Sequence, residues 1–123
     1  MRLIVCGGRH FSDYELFHTA IARWIEVYGW PDEVVTGGAS GADTMGKAWA
    51  LENGIPHRGV PAEWERWGKK AGPLRNAEMA RYACDGVRGG CLALPGGKGT
   101  ADMVQQARTS GLTMMEVEAN HEY

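Results

Sequence analysis

The sequence predicts an α/β fold, a three-layer sandwich around a parallel Rossmann-like sheet of about five strands. Short apolar runs alternate with segments whose apolar residues recur at helical spacing. Three of the apolar runs also end directly in glycine-rich turns, as strand–turn–helix units of parallel sheets do. The strands are expected at residues 2–6, 32–36, 55–60, 91–94 and 112–117.

The first two helices have recognisable boundaries. A capping box from Ser12 to Glu15 predicts the start of the first helix, and Gly29 and Pro31 predict its end. The second helix follows a glycine turn and ends near Asn53. The inward positions are expected to be Tyr14, Phe17, Ile21, Trp24 and Tyr28 in the first helix, and Ala42, Met45, Ala48 and Trp49 in the second.

The second half of the chain continues the alternation. Residues 61–72 are polar and predict a loop, and Pro73 suits the first turn of a helix that runs to about Ala83. Residues 84–90 predict a turn, and the last helical pattern covers 101–108.

Length and composition indicate one domain, covering residues 1–123, with room for a hydrophobic core. The hydrophobic fraction of 44% and the charged fraction of 23% are typical of a soluble globular protein. No apolar run approaches the ~20 residues that a membrane span needs. The N-terminus leads straight into a strand and leaves no room for a signal peptide, so we expect a cytoplasmic protein that does not contact a membrane.

Charge, cysteines and histidines exclude further classes. A net charge of −2 argues against broad electrostatic binding to nucleic acid, although local basic patches remain compatible with it. The three cysteines lack metal-type spacing, and Cys6 and Cys91 lie in apolar strands, where a cysteine acts as a small buried hydrophobe. The four histidines are scattered. We therefore expect no metal and no cofactor.

The turn at 95–100 is the most informative motif, because it follows an apolar strand and opens a helix. The first main-chain amides of a helix lack an intrahelical acceptor, and glycine lets a ligand approach them. Such a turn is an anion site, most naturally for phosphate. Eight of the 18 glycines lie in three turns of this kind: Gly7, Gly8, Gly37, Gly38, Gly41, Gly96, Gly97 and Gly99.

Each turn taken alone is explained by a tight strand-to-helix connection. Three together favour one shared ligand crevice beyond the carboxyl ends of the strands. Two common phosphate motifs do not fit. Lys98 is followed by Gly99 instead of the Ser or Thr of a P-loop, and the dinucleotide fingerprint would need glycine at Asp102.

The chain nevertheless resembles a known superfamily. The turn Pro-Gly-Gly-Lys-Gly-Thr at 95–100 and the segment Gly-Pro-Leu-Arg-Asn-Ala-Glu-Met at 72–79 resemble the SLOG superfamily of Rossmann-like nucleotide-binding domains. This superfamily includes the Lonely Guy phosphoribohydrolases and the DNA-processing protein A. The turns at 5–9 and 36–43 are similar to those of its small stand-alone branch, and the resemblance extends to about Val117.

The resemblance implies a comparison with the phosphoribohydrolase site. Arg75 matches the arginine of their Met-His-Glu-Arg-Lys segment, whereas Asn76 replaces its lysine and Met103 stands where they carry a glutamate. Glycosidic cleavage needs a carboxylate, which methionine cannot supply. Asp102 lies one position earlier and points about a quarter turn or more away on a helix. The resemblance therefore weakens the hydrolase interpretation without removing it.

Several charged side chains have two interpretations. Arg9, directly after two glycines, is interpreted as a phosphate ligand in preference to a solvated loop residue. Asp43 has two alternatives, a hydrogen bond to a ribose hydroxyl or a capping box with Ser40. The positive charge of Arg75 near a helix start interacts unfavourably with the helix dipole, so a nearby anion would account for its presence.

Aromatic and acidic side chains near the turns also have alternatives. Trp64 and Trp67 could stack on a base, but a tryptophan in a long loop more often anchors that loop to the core. Glu63 and Glu78 are possible catalytic carboxylates only if they face the crevice.

Three functions therefore compete: binding of a nucleotide-derived signal, hydrolysis of a nucleoside monophosphate, and binding of single-stranded DNA, which the net charge disfavours. We predict that the protein senses or sequesters a nucleotide or nucleotide-derived phosphate compound, with the Lonely Guy type of hydrolase as the alternative. A homo-oligomer, most simply a dimer, is expected from the resemblance. The predicted ligand-binding residues are Gly7, Gly8, Arg9, Gly37, Gly38, Ser40, Asp43, Arg75, Asn76, Gly96, Gly97, Lys98, Gly99 and Thr100.

Overall fold

The computed structural model describes residues 1–119 and contains one sheet of five parallel strands. The strands are β1 (Arg2–Cys6), β2 (Glu33–Thr36), β3 (His57–Gly59), β4 (Gly89–Ala93) and β5 (Thr113–Glu116). Their order across the sheet is β3-β2-β1-β4-β5, and every neighbouring pair is parallel. The predicted α/β Rossmann-like class is confirmed.

Within residues 1–119, five α-helices connect the strands, and a short 3-10 turn over Gly68–Lys70 lies between the third and fourth of them. The helices are α1 (Tyr14–Tyr28), α2 (Ala42–Glu52), α3 (Trp64–Trp67), α4 (Ala71–Ala83) and α5 (Lys98–Thr109).

The core forms two apolar layers, one on each face of the sheet. Successive side chains of a strand point to opposite faces, so Leu3 and Val5 of β1 pack with α1 and α2, while Ile4 and Cys6 pack with α4 and α5. Trp24 of α1 is fully buried in the first layer, and Met103 of α5 is buried in the second. Helices therefore cover both faces, which gives the three predicted layers.

The strand order positions the glycine turns. The chain leaves β1 in one direction to build β2 and β3, and later returns to build β4 and β5 on the other side. Such a reversal of strand order opens a crevice beyond the carboxyl ends of the two strands that flank it. The turns after β1, β2 and β4 all lie at this edge because the three strands are parallel neighbours.

The predicted capping box at the start of α1 is wrong. Asp13 is the N-cap instead, and its carboxylate accepts a hydrogen bond from the Leu16 amide at 3.0 Å. The helix thus starts at Tyr14, whose side chain is exposed, whereas it was expected to face inward. Phe17, which lies deeper in the helix, is buried as predicted.

Other boundaries also differ from the prediction. The polar segment 61–72 is not a plain loop, since it contains α3, the 3-10 turn and the first residues of α4. The fourth strand begins at Gly89, inside the predicted turn, because the turn holds two glycines that pair with β1 as strand residues. The third strand is shorter than expected, and Ala48 is only partly buried.

Candidate functional site

A cavity of about 680 Å3 lies beyond the carboxyl ends of β1 and β4. Its volume falls within the roughly 300–1,000 Å3 usual for small-ligand sites. We call it the main cavity. The structure brings eleven of the predicted binding residues to it: Gly7, Gly8, Arg9, Asp43, Arg75, Asn76, Gly96, Gly97, Lys98, Gly99 and Thr100.

A second cavity, of about 380 Å3, adjoins the first and is called here the side cavity. It receives the other three predicted residues, Gly37, Gly38 and Ser40. Pro61, Ala62 and Trp64 line it as well. Both cavities share Arg9, Ala39 and Arg75.

The turn that opens α5 presents unpaired donors to the main cavity. The amides of Gly97, Lys98, Gly99 and Thr100 find no main-chain acceptor among residues 1–119, and the first intrahelical bond at this end is donated by Ala101 to the Gly97 carbonyl at 3.0 Å. Such amides at a helix N-terminus attract an anion through their own partial charges and the helix dipole.

Close packing explains many of the turn glycines. A Cβ at Gly7 would lie 2.6 Å from the Cβ of Ala42, and a Cβ at Gly37 would overlap the Arg75 guanidinium. A larger residue would not fit at these positions, because the turns pack against each other and against Arg75.

Gly97 and Gly99 are different. A Cβ at either would meet nothing within 4 Å, and neither has a positive φ. The fold does not require glycine at these two positions, yet both line the main cavity. Glycine at both positions leaves the main-chain amides of the turn open to close approach from the cavity.

Asp43 is a buried carboxylate in the first turn of α2. Its Oδ2 accepts hydrogen bonds from the amides of Gly37, at 3.0 Å, and Ala39, at 3.2 Å. The alternative of a capping box is therefore excluded, because Gly41 is the N-cap and Asp43 instead holds the turn after β2. Burial raises the pKa of this carboxyl, against the opposing effects of the Ala39 amide, the Arg75 guanidinium and the Gly37 amide.

Arg75 and Asn76 of α4 connect the turns after β2 and β4. The Arg75 guanidinium donates to the Gly37 carbonyl at 2.7 Å and to Asn76 Oδ1 at 3.0 Å. The Asn76 amide in turn donates to the Gly99 carbonyl at 3.2 Å and to Asp102 Oδ2 at 3.0 Å. This network orients the Arg75 guanidinium at the border of the two cavities and ties α4 to the first turn of α5.

The charges around the main cavity oppose that of the whole chain. Arg9, Lys98 and Arg75 line it, against the one carboxylate of Asp43. The complete chain carries a formal net charge of −2. The cavity is thus a local concentration of positive charge, which favours an anionic ligand.

The other carboxylates considered from the sequence lie elsewhere. Glu63 and Glu78 are exposed and line neither cavity. Asp102 is held by Asn76 and is absent from the lining of the main cavity, while Met103 is buried at its floor. Trp64 and Trp67 are 53% and 44% exposed, so neither anchors its segment in the core.

Seven further residues line the main cavity without having been predicted. Most of them directly precede or follow a predicted turn residue, so their position next to the turns in the sequence could have predicted them. Met79 lies one helical turn after Arg75, so the spacing of α4 also placed it on the same face. The seven are Cys6, His10, Phe11, Ala39, Met79, Pro95 and Met103.

Cys6 at the floor of the main cavity is an inert thiol. Its Sγ lies 3.8 Å from that of Cys91 on the adjacent strand, and both cysteines are buried and free. The hydrogen bond with Cys91 and the burial raise the pKa of Cys6 well above its ordinary value. A thiol that keeps its proton is a poor nucleophile, so covalent catalysis by Cys6 has no support.

Among the described residues, no helix is both long and apolar enough to cross a membrane. Within residues 1–119 there is also no group of three or more His, Cys, Asp or Glu side chains that could hold a metal ion.

Comparison with known proteins gives the family. Residues 1–67, rather more than half of the chain, match the model of the YAcAr family, described as the YspA, cpYpsA-related SLOG family. The chain belongs to this SLOG family. It is also 34% identical, over 123 aligned positions, to the Gene 61 protein of Mycobacterium phage D29, and the match covers 93% of this chain and 94% of that relative. The predicted SLOG membership is confirmed, and it indicates nucleotide-related binding or processing.

Proposed function

We propose that this protein binds a nucleotide or a nucleotide-derived phosphate compound in the main cavity, and so senses or sequesters it. The observation that carries the proposal is the coincidence of unpaired amides in the turn at 97–100 with three cationic side chains around one cavity. Phosphate suits such amides and arginines, because its several oxygens can accept from the directed donors that both offer.

The first test is the variant Gly97→Leu. The added side chain has open space in the fold but would occupy the approach to the amides of the turn. We expect adenosine monophosphate to bind this variant at least about tenfold more weakly, which corresponds to about 1.4 kcal/mol. Isothermal titration calorimetry measures the affinity, and circular dichroism checks that the variant folds.

Gly59→Leu is the matched control. Gly59 lies on the edge strand β3 away from both cavities, and a Cβ there makes only an ordinary contact of 3.6 Å with the His57 ring. This variant should bind adenosine monophosphate like the wild type. Undiminished affinity in Gly97→Leu would place the binding site elsewhere and contradict the proposal.

A second candidate function is hydrolysis of a nucleoside monophosphate. One observation favours it: Asp43 lines the main cavity, and burial raises its pKa. A carboxyl that holds its proton to a higher pH can protonate a leaving base. Against it, the position of the glutamate in the hydrolases that the chain resembles is occupied by the buried Met103.

We expect slow turnover of adenosine monophosphate or none. The assay follows free adenine by chromatography, with Asp43→Asn as the comparison. Release by the wild type at roughly 1 per second or faster, a rate typical of enzymes, would contradict a pure binding function. Loss of that release in Asp43→Asn would then assign the acid to Asp43.

A further inference from the structure

The side cavity contains an exposed aromatic surface that an anion site at the turn opening α5 does not explain. Trp64 of α3 is the one aromatic residue among the described residues that line this cavity, and 53% of its surface is exposed. Exposing the apolar indole ring to water is unfavourable. In ligand cavities, aromatic side chains commonly line the wall and stack against flat ligands.

The Trp64 ring packs over Gly72 of α4. A Cβ at Gly72 would lie 3.3 Å from the Trp64 ring, so the absence of a side chain at Gly72 makes room for the indole. Gly72 itself is buried beneath it. The indole is therefore supported on one side and accessible on another, which is the arrangement of a stacking platform.

Arg75 borders both the side cavity with this platform and the main cavity with the turn that opens α5. Its guanidinium is held by the Gly37 carbonyl and by Asn76, and the residue lines both cavities. Arg9 also lines both. A ligand whose phosphate occupies the main cavity can thus extend past these two arginines into the side cavity and remain in contact with the protein.

We infer that the side cavity is the subsite for the heteroaromatic base of the ligand, with Trp64 as its stacking surface, so that the protein selects intact nucleotides over base-free sugar phosphates. The inference rests on the proposed function, because it requires the phosphate of the same ligand to lie in the main cavity. It extends that function by naming which part of the ligand confers selectivity.

Trp67 provides a comparison within the same helix. It is also largely exposed, but it lines neither cavity, and the guanidinium of Arg66 already lies over its ring at 4.9 Å. If Trp64 binds the base, substitution of Trp64 should weaken binding whereas substitution of Trp67 should not. A general role in solubility or folding would give both substitutions similar effects.

The experiment measures the affinity of two probes, adenosine monophosphate and ribose 5-phosphate, by isothermal titration calorimetry. The proteins are the wild type, Trp64→Ala, Trp64→Phe and the control Trp67→Ala. Loss of stacking on an aromatic side chain weakens nucleotide binding by about 5- to 150-fold. We expect this loss for adenosine monophosphate in Trp64→Ala, with the affinity for ribose 5-phosphate unchanged.

Retained binding of ribose 5-phosphate also shows that Trp64→Ala is folded. Trp64→Phe should restore most of the affinity for adenosine monophosphate, and Trp67→Ala should resemble the wild type with both probes. Equal weakening of both probes in Trp64→Ala, or no weakening of either, would overturn the base subsite while leaving the proposed function intact. Failure of the wild type to bind either probe would overturn the proposed function and this inference with it.

Discussion

Asp43 supplies the one carboxylate among the described side chains that line the main cavity. It also has a structural role. Through Oδ2 it holds the Gly37 amide while Arg75 holds the Gly37 carbonyl, so the same peptide segment is bound from both sides. Removing either partner would leave a buried polar group unpaired, which typically costs about 1–3 kcal/mol.

The pH dependence of stability should report the state of Asp43. Burial raises its folded pKa above the ordinary value of 3.8, so the folded chain binds more protons than the unfolded chain between 3.8 and the folded pKa. Stability from this group therefore falls as the pH rises through that window. In Asp43→Asn the side-chain oxygen can still accept both amide hydrogens, but the group no longer titrates.

We expect the stability of the wild type relative to Asp43→Asn to be greatest below pH 3.8 and to decrease as the pH rises. Urea unfolding followed by tryptophan fluorescence, at several values between pH 3.5 and 7, measures this difference. The other carboxyl groups titrate in both proteins and cancel. A difference that stays constant or grows with pH would show that the pKa of Asp43 is not raised.

At the scale of elements, apolar periodicity predicted α1, α2 and α5 well because each buries one face against the sheet. It failed between 61 and 72. All four residues of α3 are exposed, so no buried face marks them as helical in the sequence. The segment turns back on itself through Gly68, whose φ is +56°, and leads into α4 two residues before Pro73.

The ends of elements were set by contacts that sequence spacing does not reveal. Ser12 and Asp13 are both competent N-caps, and it is Asp13 whose carboxylate accepts the hydrogen bond from the Leu16 amide. In the sequence Gly89 and Gly90 resemble turn residues, but both lie in β4, and a Cβ at Gly90 would lie only 2.4 Å from a ring carbon of Trp24. A Cβ at Gly89 would lie 2.5 Å from the Ala83 carbonyl oxygen, so glycine at these positions lets α1 and α4 pack closely against β4.

At the scale of the whole molecule, three of the five tryptophans are largely exposed, at Trp30, Trp64 and Trp67. Leu51 and Leu74 add exposed apolar area on α2 and α4. Exposed apolar side chains of this size are often covered by a partner. Leu74 lies in the same helix as Arg75, so a second copy packed on α4 would lie beside the cavities.

We therefore propose that the protein forms a homodimer, as expected from the family it resembles. Light scattering coupled to size-exclusion chromatography at micromolar concentration should give about twice the chain mass of 13.4 kDa. Leu74→Glu should shift the mass toward the monomer if α4 lies in the interface, whereas Glu26→Gln should not, because Glu26 is exposed on α1, which covers the opposite face of the sheet. A monomer mass for the wild type at this concentration would contradict the homodimer.

The sequence by itself determined the parallel α/β class and the three glycine turns, because strand–turn–helix order and apolar periodicity are local properties of the chain. The superfamily followed from the resemblance of the segments at 72–79 and 95–100 to known motifs. The sequence also indicated which residues would meet, since the ends of parallel strands share one edge of the sheet. Tertiary structure alone decided how those residues divide between two cavities, that Glu63 and Glu78 line neither of them, and that Trp64 lines a cavity whereas Trp67 does not. These are contacts between segments far apart in the chain, and they depend on distances that spacing along the sequence does not encode.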